Sequence, residues 1–156
     1  MYSLAALGLA ALSVGDLADA SADLQQSGDL ACRLGVGNPD VVPMAADLAE
    51  ALARAQQMGR REVVHWLDER APATGLAYPQ AAACRVRGIL VTEPEEAESL
   101  FAASLAALDK NGPMPFEHAR TLLCSGEAMR RNHRPPAARA PLNRALEIFD
   151  GLGARL

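Results

Sequence analysis

A spacing recurs along this chain. Gly126 is followed by Ala138, Leu142 and Ala145 at +12, +16 and +19, and Gly8 is followed by Ala20, Leu24 and Ser27 at the same offsets. Gly88 is followed by Ala97, Phe101 and Ser104, which keep the four-then-three spacing after a turn three residues shorter. Ala51, followed by Val63, Leu67 and Arg70, is a poorer copy. Where two helices cross, the first needs a small residue at the contact, and the second needs small, large, small on its docking face. The spacing therefore predicts paired helices, repeated at intervals of 43, 37 and 38 residues between these reference positions.

The rest of the sequence is punctuated to match. Apolar residues at helical spacing predict helices over Tyr2–Val14, Asp16 to about Leu34, Pro43–Met58, Arg60–Ala71 and Tyr78–Val91, then from Thr92 to Asp109, about Pro115–Arg131 and Pro136–Leu152. Between them stand Gly15-Asp16, Gly35–Pro39, Gly59, Pro72–Gly75 and Asn111-Gly112-Pro113, all turn or breaker chemistry. Thr92 with Glu95 three residues on forms a capping-box pattern. Glu93, Glu95, Glu96 and Glu98 crowd that helix start. The helix dipole explains them without a metal or acid–base site. Tyr2–Val14 is apolar nearly all round, which predicts cover on more than one side. It superficially resembles the core of a signal peptide, but it lacks a basic start and Asp16 and Asp19 follow at once, so it reads as a buried helix.

Composition favours helix, since Ala is very common and Ala, Leu, Arg and Glu are strong helix formers, while Val and Ile form no alternating runs. The net charge of −4 conceals a gradient: residues 1–50 carry −6, 51–112 carry −1 and 113–156 carry +3. A domain devoted to nucleic acid would be basic throughout, so the basic end reads as a solvated face. The three cysteines, Cys32, Cys84 and Cys124, lack CxxC spacing. They read as free thiols in a reducing, cytoplasmic setting. No run of about 18 apolar residues occurs.

The offsets resemble the Gly, Ala, Phe and Ala positions of the tetratricopeptide repeat. The resemblance implies an all-α, right-handed superhelical solenoid of about four antiparallel hairpins forming one domain over residues 1–156. Two stretches resemble a larger family. Leu34–Pro39 (LGVGNP), followed by Pro43–Leu52 (PMAADLAEAL), is similar to a segment of the large ATP-binding LuxR-type transcriptional regulators of actinobacteria. Ala119–Arg131, with Ala138–Phe149 and Leu152–Ala154, is similar to the last helical hairpin of the same family, just before its DNA-binding domain. That family combines an ATPase, a tetratricopeptide-like middle and a LuxR-type helix-turn-helix. No G-x-x-x-x-G-K-[ST] occurs, and no recognition helix follows Leu156, so the chain is expected to be the middle part of such a regulator.

Catalytic chemistry has little support. His65, His118 and His133 stand far apart without HExxH or HxxxH spacing, and no metal or cofactor is expected. Cys124-Ser125-Gly126 falls mid-helix with no base nearby in sequence. Trp66 reads as packing and not as a ligand platform.

In a tetratricopeptide-like superhelix the first helix of each pair lines the groove. Counting from the reference positions, the groove residues are Tyr2, Gln56, Arg85, Arg120, Glu127, Arg130 and Arg131. Arg85, Arg120 and Arg130 would form a positive strip for an acidic peptide or carboxylate. The competing reading pairs these arginines with Glu117 and Glu127 at the surface. The expected function is a non-catalytic interaction and signal-sensing module of a LuxR-type regulator, with a protein, a peptide or its neighbouring domains as partner and no direct DNA contact. The alternatives are a free-standing scaffold and an all-helical small-molecule-binding domain. The ends of a cut solenoid are expected to self-associate through Tyr2–Val14 or the C-terminal helix.

Overall fold

The computed structural model describes residues 1–41, 43–110 and 112–154. Asn111 of the expected break, and Leu156, lie outside the described residues. The described residues form eight helices and no strand: α1 (Tyr2–Val14), α2 (Leu17–Arg33), α3 (Met44–Arg54), α4 (Arg60–Thr74), α5 (Ala77–Leu90), α6 (Pro94–Leu108), α7 (Pro115–Arg131) and α8 (Pro135–Gly151). The chain divides into two compact units, Met1–Pro79 and Gln80–Leu156, with the boundary inside α5.

In the first unit, Gly15 ends α1 at φ 82°, and the Asp16 amide reaches back 2.9 Å to the Ala11 carbonyl. The Asp16 carboxylate then caps α2, accepting the Asp19 amide at 3.1 Å. Two helix ends depart from expectation. α3 stops at Arg54, because Gln56 turns left-handed at φ 54° and the Gln57 amide closes on the Leu52 carbonyl at 2.9 Å. α4 runs through Pro72 to Thr74, since a proline costs one amide bond but keeps a helical φ, and the final turn needs no more. The Thr74 hydroxyl adds a bond to the Ala71 carbonyl at 2.8 Å.

In the second unit, α6 starts one residue later than a Thr92 cap requires. Glu93 occupies the cap position and Pro94 the first turn, so the capping box from Thr92 to Glu95 does not form. Phe101 packs with Ala97, Cys124 and Ala128, while Ala81, Ala107 and Leu108 form a second cluster with Met114.

The crossings fall where the spacing puts them. A Cβ on Gly8 would lie 2.5 Å from Leu24 Cγ and 3.3 Å from the Ala20 carbonyl. On Gly126 it would lie 2.5 Å from Leu142 Cγ, and on Gly88 3.0 Å from the Phe101 ring. Ala20, Ser27, Ala97, Ser104, Ala138 and Ala145 are all buried. In the poorer copy Ala51 and Leu67 are buried, but Val63 and Arg70 are only half-buried. Within its unit α1 packs on α2 and also touches α3, but the expected cover is incomplete. Ala5, Gly8 and Leu12 are buried, whereas Tyr2, Leu7 and Val14 are 59%, 58% and 71% exposed.

Candidate functional site

The second unit holds a polar cluster in its interior, built by three helices. Each small crossing residue brings backbones close, and the long side chains beside it are carried inward with them. Arg85, one turn before Gly88 on α5, is fully buried. Its Nη1 donates to Glu117 Oε2 of α7 at 2.5 Å. Arg120, 7% exposed, approaches the other carboxylate oxygen at 3.5 Å. Above the pair, Ser104 of α6 donates to the Ala81 carbonyl at 2.8 Å, and its hydroxyl lies 3.2 Å from that of Thr121. Thr121 in turn donates to the Glu117 carbonyl at 3.0 Å.

Burial alone pushes the Glu117 carboxyl up. The charges of Arg85 and Arg120, with their hydrogen bonds, outweigh it and hold the group below its ordinary value of 4.5. A carboxylate locked between two guanidiniums is a poor proton donor or acceptor near neutrality. What it does well is fix the register of the helices that supply it. Arg120 also lies 6.0 Å from the Phe116 ring, which meets Phe149 of α8 edge-on at 5.8 Å.

The expected groove residues therefore divide. Tyr2 is exposed at the start of α1. Gln56 is exposed but lies in the turn after α3, not on a helix. Arg85 and Arg120 are inside, on Glu117, so an outside ligand does not reach Arg85 in this conformation. Glu127 is half-buried. Arg130 and Arg131 are exposed, and Arg131 Nη2 reaches the Ile89 carbonyl at 3.5 Å. The pairing with Glu117 is present, but as a buried bond and not a surface one.

A cleft went unnoticed in the sequence. It has a volume of about 470 Å³ and is lined mainly by Leu108, Asp109, Met114, His118, Arg144 and Ile148. His118 Nε2 stands 3.9 Å from Asp109 Oδ1, too far for a hydrogen bond, and its buried Nδ1 has no hydrogen-bond partner among the described residues. Such walls suit a small amphipathic molecule. No spacing rule announces it, because its polar groups come from α7, α8 and the loop between α6 and α7.

No group of three or more His, Cys, Asp or Glu gathers as a metal site among the described residues. Cys124 is 2% exposed beneath Phe101, and Cys32 is exposed. A thiol reagent should label Cys32 first and Cys124 more slowly by on the order of a hundredfold, since Cys124 must wait for opening. Equal rates, read by mass spectrometry of the digested chain, would contradict this packing. Trp66 is half-buried, with the Arg70 guanidinium 4.6 Å above its ring. No helix among the described residues is long and apolar enough to cross a membrane. No protein-family model, curated protein or solved structure matches the chain.

Proposed function

We propose that this chain is a non-catalytic helical repeat module that binds a protein or peptide, working in the cytoplasm as the tetratricopeptide-like middle of a LuxR-type regulator. The observation that carries the reading is the repeated crossing at Gly8, Gly88 and Gly126, each against the large residue of a small-large-small face. Copies of one crossing, stacked, give a right-handed superhelix of antiparallel hairpins with an extended surface and no need of a catalytic centre. The interior of the second unit supports it too, since its buried arginines, Arg85 and Arg120, are engaged with Glu117.

Of the strip Arg85, Arg120 and Arg130, the first two are engaged with Glu117, which leaves Arg130, with its neighbour Arg131, on the outside. Their chemistry suits an acidic peptide. Short acidic and neutral peptides arrayed on a membrane supply the probe. The acidic set should retain the chain at low salt and release it at high salt. The pair R130E and R131E together should weaken that binding about tenfold, the sum of two rim charges. Equal retention of neutral peptides, or no effect of the double reversal, overturns the acidic-peptide reading. The regulator reading is checked on the coding sequence around these residues. A P-loop upstream and a helix-turn-helix downstream support it, and neither being present removes it. The cleft beside His118 favours the small-molecule-binding alternative, whose test is a ligand-induced rise in unfolding temperature that H118A abolishes.

A further inference from the structure

The exposed face of α1 has a counterpart in the second unit that is covered. Laying Gly8 on Gly126 brings Ser3, Ala6, Leu7 and Ala10 onto Thr121, Cys124, Ser125 and Ala128. All four α7 residues are buried, and α6 helps bury them: Phe101 packs on Cys124 and Ala128, and Ser104 meets Thr121. All four α1 residues are exposed. The face is thus shaped like one that receives a helix carrying a small-large-small stripe.

A comparable helix stands at the other end of the chain, where α8 lays Ala138 and Ala145 on α7 and leaves Leu142 half-buried and Arg139 and Leu146 exposed. Laying Ala97 on Ala138 places Phe101 on Leu142, Ser104 on Ala145 and Glu98 on Arg139. Glu98 makes an ion pair with Arg134 across the α6–α7 contact. On the α1 side, the position of Arg134 is taken by Asp16. Both signs are reversed together, so the pair becomes Arg139 facing Asp16, again attractive. Both side chains are exposed. The wider charge agrees, with −6 over residues 1–50 and +3 over 113–156.

We propose that α8 of one copy docks on the exposed face of α1 of a second copy, repeating the α6–α7 contact with Arg139 beside Asp16. The association is heterologous, head to tail, because the two surfaces differ. It is salt-sensitive through its charges and, as an association of two copies, concentration-dependent.

Sedimentation velocity of the chain over a concentration series tests it. The sedimentation coefficient should rise with concentration, less so at high salt. L7E blocks the receiving face, and R139D with L146E blocks the docking helix. Leu7 and Leu146 are 58% and 60% exposed, so both variants should keep the wild-type circular dichroism. Each alone should sediment as a monomer, and their equimolar mixture should form a dimer, because each supplies the surface the other lacks. R139D alone should weaken association about tenfold, the scale of a rim ion pair made repulsive. A wild type that stays monomeric at every concentration overturns the proposal and leaves the face to a helix of another protein. Association that survives R139D with L146E overturns it in favour of an α1–α1 contact. A mixture that stays monomeric overturns it as well.

Discussion

Replacing Arg85 by alanine should lower the stability of the chain by about 3 kcal/mol, toward the lower end of the cost of stripping one partner from a buried ion pair. Arg85 is fully buried, and Glu117 is only 14% exposed in its side chain. The substitution leaves the carboxylate inside with one long contact, to Arg120 at 3.5 Å, which moderates the loss without cancelling it. Arg85→Lys should rescue little, since a single ammonium lacks the planar fork that spans α5 and α7. Urea unfolding followed by circular dichroism measures the loss, and a change below about 0.5 kcal/mol, the scale of a surface substitution, would refute the buried-pair account.

The same carboxylate gives the chain a pH signature. Its folded pKa lies below the unfolded value, which is near the ordinary 4.5. The stabilisation is therefore complete above about pH 4.5 and is lost as pH falls through the folded value, where the native carboxylate protonates. Wild-type stability should drop over that acid range, and Glu117→Gln, already destabilised at neutral pH, should show a shallower drop. Parallel acid profiles for the two proteins would mean that other carboxylates carry the effect.

Gly8→Val should destabilise the chain by about 2–3 kcal/mol, because the new side chain enters a filled site. Even its first carbon would sit 2.5 Å from Leu24 Cγ, and Leu24 is itself fully buried with no room to turn away. Gly126→Val should cost less. Its neighbour Leu142 is only half-buried and can yield toward solvent. Combining Gly8→Val with Leu24→Ala should be less harmful than the two single losses added, with a coupling of about 1 kcal/mol or more. Additive losses in that double-mutant cycle would show that the two residues do not share the crossing.

The crossings are legible in the sequence because their cause is local and steric. Gly8 and Gly126 are places where a methyl group cannot fit, Gly88 is one where it fits only if the Phe101 ring gives way, and the residues that crowd it stand at fixed offsets along the next helix. The breaks at Gly15, Gly35 and Gly75 were legible for a related reason, since each carries a positive φ. Gln56 was not legible, because a non-glycine residue in that conformation leaves no mark in composition. The shift of the α6 cap from Thr92 to Glu93 was hidden too, by two candidate caps standing side by side.

The sequence by itself determined an all-helical chain, its glycine-marked turns, and which residues on each helix share a face, since these follow from chain geometry and side-chain size within a few turns. Only the tertiary structure decided which faces are covered. It took Arg85 and Arg120 from an expected binding strip into the interior, where Glu117 compensates their desolvation. It also left Leu7 and Val14 of an apolar helix facing outward in their own unit. Periodicity says which residues lie together on a helix. Whether that side meets protein or water depends on a partner brought from elsewhere in the chain, and burial energy exists only once that partner has arrived.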